Sequence, residues 1–371
     1  MKKALIVTQK TLHNAPRVLK EIYALKDDFE IHTIGQSASG LEVAFYELNK
    51  ISLVQKAWRL MYLKLGFFDK YYWDKHKREL IKTLSGIKYH LIIAHDEDML
   101  PMALKLSQDS KIILNSHEYL PEEDNDNFLW RLLIKPYIYK LCKEYAPRAD
   151  KMLSVNDGVA ELYRENFNLT STPILNAADY CDISPSKVEL PVSMIHHGAA
   201  AADRKLELMV QTLEILGDGY SLDLLLNQEK SDPKCYKALS ELAGQTSNVK
   251  IIAAVPYKEI IARINKYDLG LYILPPSNTN TLYALPNKFF EFIQARLAIA
   301  IGPSLEMAKI VKKYDLGVVA ENFTPEAMAN AIKDLSVEKI AFYKDQSHKH
   351  AGELSSEAEV KKIKEIVSQL I

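Results

Sequence analysis

The chain has 371 residues, of which 48% are hydrophobic and 26% charged, which suits a globular protein of two domains better than one of a single domain. Its 47 Lys and Arg residues balance its 48 Asp and Glu residues, so the charge gives no support to nucleic-acid binding. The three cysteines form no CxxC pair, which argues against a disulfide framework and against a cysteine metal site.

The N-terminal sequence MKKALIVTQKT does not resemble a targeting segment. Only about five apolar residues follow its two lysines, too few for a signal peptide. No later apolar run approaches the roughly 20 residues that span a bilayer. We therefore expect a cytoplasmic protein.

Short apolar runs alternate with helical segments through the first half of the chain. Strands are predicted over residues 4–8, 31–34, 91–94, 111–114 and 151–155. Residues 15–25 are predicted to form a helix, with Pro16 near its first turn. Nearly continuous apolar strands separated by helices predict a parallel sheet covered on both faces. The first half is thus expected to be a Rossmann-like domain.

The same pattern restarts after a polar, proline-marked stretch at 182–191. A helix is predicted over 205–216, and strands are predicted over 192–197, 222–226, 249–252, 269–274, 297–301 and 317–319. The fold class is therefore predicted as α/β, with two doubly wound domains at 1–182 and 183–354. The amphipathic helix predicted over 355–371 is expected to pack back onto the first domain.

Residues 53–68 place aromatic side chains such as Trp58 among lysines and an arginine. Two interpretations fit this segment. A basic aromatic helix can lie on the anionic inner face of a membrane, which would suit a lipid-linked acceptor. Alternatively, it is a core helix whose lysines extend to water.

Three histidines mark the ends of predicted strands: His95, His117 and His197. Ligands of open parallel sheets bind beyond the carboxyl ends of the strands, so these positions are candidates for a site. The histidines could bind a metal or simply hydrogen-bond to local backbone. No HxxxH or HExxH spacing supports a metal, and we expect none.

Several common nucleotide and hydrolase motifs are missing from the sequence. No GxGxxG follows the first strand, and neither GxxxxGK[ST] nor GxSxG occurs. This disfavours a dinucleotide-dependent dehydrogenase, a P-loop kinase and an α/β-hydrolase. What remains is a two-domain nucleotide-binding type of fold whose helix N-termini can hold a diphosphate.

The sequence PNKFFE, at 286–291, begins a predicted helix with unusual polar groups. If Pro286 lies in the first turn, the N–H groups of Asn287, Lys288 and Phe289 point out of the helix start. An anion there would also meet the ammonium group of Lys288.

Glu291 lies on the same helix face as Lys288. A carboxylate beside a phosphate site would not bind the phosphate, but it could accept hydrogen bonds from vicinal hydroxyls such as those of ribose. The alternative is an ion pair between the two residues on the protein surface, which would contribute little.

The C-terminal half resembles the glycosyltransferase group 1 enzymes of the GT-B fold, in which two Rossmann-like domains face a central cleft. The resemblance runs from Glu291 through the predicted strand 297–301 to Glu306, and continues in the segment 314–332. It implies that Glu291 binds the ribose of a sugar nucleotide. At the family's earlier acidic position this chain has Tyr283.

A glycine loop and a downstream cation extend the resemblance. Gly198 is followed by Arg204 and Lys205, and the family's usual arginine directly after the glycine is Ala199 here. The resemblance implies that Arg204, or failing that Lys205, holds the donor diphosphate together with Lys288.

The N-terminal half contains AHDE and NSHE segments that resemble the family's strand-end histidine segments. The resemblance implies that His95, Asp96 and His117 lie near the transferred sugar and the acceptor. Arg17, at a helix start, either meets an anionic acceptor or is structural.

The resemblance as a whole implies a retaining glycosyltransferase that uses a nucleoside-diphosphate sugar without a metal or further cofactor. Its acceptor would be a glycan or lipid-linked molecule of the capsule or lipopolysaccharide type. Catalysis would rest on His95, Arg204 and Lys288.

Two other functions share the fold. A non-hydrolysing sugar-nucleotide epimerase would need acid–base carboxylates, for which Asp96, Glu97 and Glu118 are the candidates. A non-catalytic sugar-nucleotide-binding protein is suggested by Tyr283, which replaces an acid.

Overall fold

The computed structural model describes residues 1–49 and 52–371, apart from the side chains of residues 14, 53 and 54. The chain divides into two compact units. Unit 1 comprises residues 1–175 and 359–371, and unit 2 comprises residues 176–358. These divisions lie close to the boundaries predicted at 182/183 and 354/355.

Unit 1 is built on a seven-stranded, fully parallel sheet with strand order β3-β2-β1-β4-β5-β6-β7. The strands are β1 Lys2–Val7, β2 Phe29–Gly35, β3 Ala44–Glu47, β4 Leu91–His95, β5 Lys111–Asn115, β6 Lys151–Ser154 and β7 Ser171–Pro173. The helices are α1 Pro16–Leu25, α2 Leu53–Lys64, α3 Phe68–Tyr72, α4 Lys75–Leu84, α5 Leu100–Leu106, α6 Lys135–Lys140 and α7 Asp157–Phe167. The strand order reverses between β1 and β4, as in other doubly wound sheets.

Unit 2 contains a six-stranded parallel sheet with the order β10-β9-β8-β11-β12-β13. Its strands are β8 Val192–Gly198, β9 Tyr220–Leu226, β10 Val249–Ala253, β11 Leu269–Tyr272, β12 Ala298–Ile301 and β13 Gly317–Val319. Its helices are α8 Glu207–Leu216, α9 Pro233–Gln245, α10 Ile260–Ile264, α11 Thr279–Leu282, α12 Asn287–Gln294, α13 Leu305–Tyr314, α14 Pro325–Lys333 and α15 Val337–His350. The helix α16, Ser356–Leu370, ends the chain.

The central strands are apolar because both of their faces are covered. All four residues of β12 are fully buried, as are the last four of β1. Side-chain caps start several helices: Asp74 accepts a hydrogen bond from Lys77 N at α4, and Asn156 accepts one from Val159 N at α7. Each cap satisfies a backbone donor that the helix leaves free.

The C-terminal helix packs on the core of unit 1. Ile363 and Val367 of α16 belong to the same buried apolar cluster as residues of α1 and β1. The buried carboxylate of Glu359 also accepts a hydrogen bond of 2.9 Å from the backbone N–H of Leu175.

The sequence did not predict β3 or β7. The residues of β3 are half-buried or exposed, and β7 has only three residues, ending in Pro173. Short edge strands of this kind carry no continuous apolar run. Helix α8 begins at Glu207 rather than at 205, because Lys205 adopts a left-handed conformation with φ 49° after the turn Ala202–Arg204.

The segment 53–68 does not behave as a core helix. Trp58 is 57% exposed and Phe67 is 49% exposed. Throughout residues 1–49 and 52–371, no helix combines the length and apolarity needed to cross a bilayer.

Candidate functional site

The clearest candidate site in unit 2 surrounds Gly198, at the carboxyl end of β8. This glycine has φ 144°, and a Cβ atom there would lie 3.0 Å from Lys288 Nζ and 3.6 Å from Arg204 Nη1. A side chain would therefore occupy the space between the two cations and strain the backbone. The fold thus brings together three residues that the sequence predicted to act on a diphosphate.

Lys288 contacts side chains of two neighbouring strands, β8 and β11. Its Nζ lies 3.1 Å from His196 Nε2 and 4.5 Å from the centre of the Tyr272 ring. The other ring nitrogen of His196, Nδ1, lies 3.0 Å from the carbonyl oxygen of Leu271. Because a carbonyl can only accept, Nδ1 carries the proton and Nε2 accepts from Lys288.

The electrostatic surroundings of Lys288 favour the binding of an anion. Burial, followed by the charge of Arg204, lowers the pKa of Lys288 to about 7. Burial and the charge of Lys288 hold the pKa of His196 well below its ordinary value. An anion placed between Lys288 and Arg204 would offset the repulsion between these two cations and favour the protonated amine of Lys288.

Of the two predicted downstream cations, only Arg204 points to this glycine. Its Nη1 also donates a 3.1 Å hydrogen bond to the carbonyl oxygen of Ala199. Lys205 is half-exposed, and its Nζ lies 3.9 Å from Glu207. The geometry therefore favours Arg204 for diphosphate binding, and Lys205 remains the less favoured candidate.

The start of α12 differs from the prediction in one respect. Pro286 precedes the helix as its N-cap, with φ −78° and ψ 156°, rather than lying within the first turn. The N–H of Phe289 donates a 3.0 Å hydrogen bond to the carbonyl oxygen of Pro286. The prediction that this N–H points out of the helix is therefore wrong, and the first-turn donors to consider are those of Asn287, which is half-buried, and Lys288.

Glu291 is only 3% exposed, and its Oε2 lies 3.1 Å from His197 Nε2. The contact is short but is not aligned as an ideal hydrogen bond. Burial and the neighbouring Glu291 carboxylate raise the pKa of the Tyr257 phenol. The alternative of a surface ion pair between Lys288 and Glu291 is wrong, because both residues are buried and each contacts a different histidine of β8.

The strand ends of unit 1 bring the predicted histidines into direct contact. His95 Nδ1 lies 2.7 Å from His117 Nε2, and His95 Nε2 lies 2.8 Å from Glu21 Oε2. The side chains of His95 and Glu21 are completely buried. At the other end, His117 Nδ1 lies 2.7 Å from Lys10 Nζ.

The remaining predicted residues of unit 1 support this cluster. Asp96, with φ 65°, accepts a 2.8 Å hydrogen bond from the backbone N–H of His117. Arg17 is 6% exposed and donates a 3.0 Å hydrogen bond to the carbonyl oxygen of Ser154. Burial lowers the pKa of Arg17 to about 10, although nearby carboxylates including Asp96 raise it. Of the two interpretations of Arg17, its burial and backbone contact favour the structural one.

Two residues that orient the predicted ones, Glu21 and His196, were not predicted from the sequence. The sequence contains an indication of each. Glu21 interrupts the buried apolar face of α1, between Val18 and Ile22, and His196 lies inside a buried strand. A charged or titratable residue in such a position needs a partner. The sequence does not identify that partner, because it lies in a distant segment.

Among the described residues, no group of three or more His, Cys, Asp or Glu side chains is arranged to hold a metal ion. Metal-independent action remains a prediction.

The buried carboxyl of Glu97, a candidate acid–base group, accepts a 2.6 Å hydrogen bond from Ser116 Oγ. Burial raises the pKa of Glu97 to about 7, against the effect of that hydrogen bond.

Comparison with known proteins identifies the fold. No protein-family model matches the chain, and no curated protein sequence matches it. Solved structures do match: Alr3699/HepE from Anabaena in complex with UDP superposes with a TM-score of 0.72 at 12% identity, over 100% of both chains. The same protein in complex with UDP-glucose gives a TM-score of 0.70 at 13% identity, again over 100% of both chains.

Two further structures extend the match. A glycosyltransferase from Rickettsia africae has a TM-score of 0.68 at 11% identity, over 100% of this chain and 98% of that one. An α,α-trehalose 6-phosphate synthase from Burkholderia multivorans has a TM-score of 0.66 at 10% identity, over the same shares. The predicted fold class is therefore confirmed: the chain has the two-domain GT-B fold, with a Rossmann-like sheet in each domain.

Proposed function

We propose that this protein is a glycosyltransferase that takes its sugar from a nucleoside-diphosphate sugar. The observation that carries the proposal is the approach of Lys288 and Arg204 to Gly198 at the end of a parallel strand, in a GT-B fold. Two cations beside a glycine that carries no side chain suit a diphosphate leaving group. Glu291, one helical turn beyond Lys288, supplies the acceptor for ribose hydroxyls.

In this proposal, catalysis rests on stabilising the departing diphosphate. The bond from the anomeric carbon to the phosphate oxygen breaks as the acceptor hydroxyl oxygen bonds to the same carbon. The hydroxyl proton passes to the departing phosphate oxygen, and the negative charge that remains on the diphosphate meets Lys288 and Arg204. Uptake of a proton by Lys288 strengthens this interaction. The ribose hydroxyls replace Tyr257, which is 54% exposed, beside the Glu291 carboxylate. The reaction retains anomeric configuration and uses no metal.

The proposed donor is a UDP-hexose, and the acceptor is a glycan or lipid-linked molecule used in bacterial surface polysaccharide synthesis. The choice of UDP is supported by the Anabaena structures, which contain UDP and UDP-glucose. The residues proposed to meet the acceptor and the transferred sugar are those of unit 1, around His95, Asp96 and His117.

A thermal-shift comparison of UDP, UDP-glucose, GDP and GDP-mannose tests the proposal. A ligand that binds the folded state raises the melting temperature according to its affinity. We expect UDP and UDP-glucose to stabilise the parent, and Glu291→Gln to weaken both by roughly 10-fold, since it removes a charged acceptor. No stabilisation by any of the four would reject the nucleotide site, and turnover without an acceptor product would favour the epimerase.

We further propose that the protein lies on the inner face of the membrane, with residues 53–68 in contact with lipid. Trp58 and Phe67 are half-exposed, and Leu65 is 57% exposed. Two lysines and one arginine of the same segment lie among these apolar groups, which suits an anionic surface. This arrangement would bring a lipid-linked acceptor to a cytoplasmic enzyme.

Sedimentation with vesicles tests the membrane contact. The protein should pellet with vesicles that contain anionic phosphatidylglycerol and much less with pure phosphatidylcholine, and the double substitution Trp58→Ser, Leu65→Ser should reduce the pelleted fraction severalfold. A matched control, Tyr23→Ser, removes an exposed aromatic group elsewhere in unit 1. Equal pelleting of the parent and the double variant would reject this surface.

A further inference from the structure

The buried carboxylate of Glu21 has no place in the function proposed so far. It begins a line of contacts that runs through His95 and His117 and ends at Lys10, which is half-exposed. The successive distances are 2.8, 2.7 and 2.7 Å. Each ring nitrogen in the line can only donate or accept at one time, so the two ends determine the direction of every bond between them.

The outer end gives one direction. An ammonium group has donors but no acceptor, so Lys10 Nζ must donate to His117 Nδ1. A neutral His117 then carries its proton on Nε2 and donates it to His95 Nδ1. Burial is the main cause that holds the pKa of His117 well below its ordinary value, and the charges of Arg17 and Lys10 add to it, which favours the neutral ring.

The inner end gives the same direction. The Glu21 carboxylate can only accept, so His95 Nε2 carries a proton and presents it to Glu21 Oε2, although that contact is not ideally aligned. A neutral His95 then accepts at Nδ1. Among the described residues, no other hydrogen-bond donor serves this oxygen. The second oxygen, Oε1, accepts from the side-chain amide of Asn115. The carboxylate is therefore oriented by Asn115 and pairs with His95.

We infer that Glu21 is a positioning residue that acts through His95 to make His117 present a ring nitrogen lone pair to a sugar hydroxyl. The inference rests on the proposed glycosyltransferase function for the identity of that hydroxyl. In the free protein Lys10 occupies the position. A substrate hydroxyl replaces it, and Lys10 remains beside Asp96, whose carboxylate lies 3.7 Å from its Nζ. No proton is transferred in this role, so it is compatible with a retaining reaction.

This role makes Glu21→Gln an informative substitution of nearly unchanged size. Where Asn115 keeps donating to the oxygen of the new amide, the amide NH₂ group turns towards His95 Nε2. His95 must then accept at Nε2 and donate from Nδ1, so His117 accepts at Nε2 and presents an N–H at Nδ1. The substitution reverses the line of bonds, and a substrate hydroxyl meets a donor instead of an acceptor.

A second substitution restores the original direction. In Glu21→Gln combined with Asn115→Asp, the new carboxylate at position 115 accepts from the amide NH₂ group, and the amide oxygen again accepts from His95. The double variant has the charge of the parent. A merely structural role for Glu21 gives no reason for this rescue.

The test is a long-range ¹H–¹⁵N NMR measurement on histidine rings, which separates protonated from unprotonated nitrogens without needing any substrate. His117 Nδ1 should be unprotonated in the parent, protonated in Glu21→Gln, and unprotonated again in the double variant. Glu359→Gln, which changes another buried carboxylate of unit 1, should leave the His117 signals unchanged. An unchanged His117 tautomer in Glu21→Gln would overturn the inference whether or not the protein proves to be a glycosyltransferase.

Binding measurements identify the hydroxyl. If it belongs to the transferred sugar, Glu21→Gln should weaken UDP-glucose roughly 10- to 100-fold while leaving UDP unaffected. If it belongs to the acceptor, donor binding stays unchanged and the KM of the acceptor rises by a similar factor. Should neither value change while the tautomer reverses, the proposed contact with a sugar is wrong.

Discussion

Replacing Lys288 with methionine is expected to weaken UDP binding roughly 10- to 100-fold, because a charged hydrogen bond contributes about 1.5–3 kcal/mol. Methionine matches the length of the buried stem and removes only the amine, which lies beside Gly198 and His196. Isothermal titration calorimetry with UDP measures the change. Lys250→Met, at an exposed position of β10, is the matched control and should bind UDP as the parent does.

The pH dependence of the same measurement gives a second, independent readout. Lys288 has a pKa near 7 in the free protein, whereas a bound diphosphate favours its charged form. Protons are therefore taken up on binding above pH 7, and UDP affinity should fall as pH rises, by at most about tenfold per pH unit. Phosphate groups titrate near pH 6, so Lys288 dominates between pH 7.5 and 9.

In Lys288→Met this fall in affinity should be absent over the same pH range. A variant that keeps the full pH dependence would show that another group takes up the proton. A variant with the UDP affinity of the parent would remove Lys288 from the site altogether.

Replacing Lys344 with methionine should be the most destabilising of the substitutions considered. Lys344 and Asp268 form a buried ion pair at 3.3 Å, with side chains 1% and 3% exposed. Lys344 also donates 2.8 Å hydrogen bonds to Ser186 Oγ and to the carbonyl oxygen of Tyr267. Removing one member of such a pair leaves the other charge buried and typically costs about 3–5 kcal/mol.

Urea unfolding followed by circular dichroism would measure this loss, which we expect in the transition of unit 2. Asp268 keeps the hydrogen bonds from the backbone N–H and Oγ of Ser193, so it stays buried without its cation. Lys349→Met, at an exposed position on the same helix, should change the free energy of unfolding by less than about 0.5 kcal/mol. A loss below about 1 kcal/mol in Lys344→Met would mean that water or another cation reaches Asp268.

Much of the fold could be predicted from the sequence because buried parallel strands carry their own signal. A buried strand such as β4 or β12 is a nearly continuous apolar run, which can be recognised without knowing its neighbours in the fold. The helices between the strands show the spacing of apolar residues that is typical of an amphipathic helix. The short strands β3 and β7 could not be predicted in this way. They lie at the edges of the sheet, where only partial burial is required and the pairing partner supplies the extended conformation.

The candidate site was only partly predictable. Lys288, Arg204 and Gly198 were selected from a local pattern and a family resemblance, and the structure brings them together. The position of Pro286 was wrong by one place, because a proline at the N-cap and one in the first turn give the same sequence signature.

The sequence by itself determined the buried strands of both sheets, the resemblance to GT-B enzymes, and the residue types available for a diphosphate. Only the tertiary structure decided which of these residues are neighbours. Lys288 and His196 are 92 residues apart, and Asn115 and Glu21 are 94 apart. A buried polar group needs a hydrogen-bond partner, and the fold often supplies that partner from a distant segment of the chain. The spacing of residues within one segment therefore does not identify the partner.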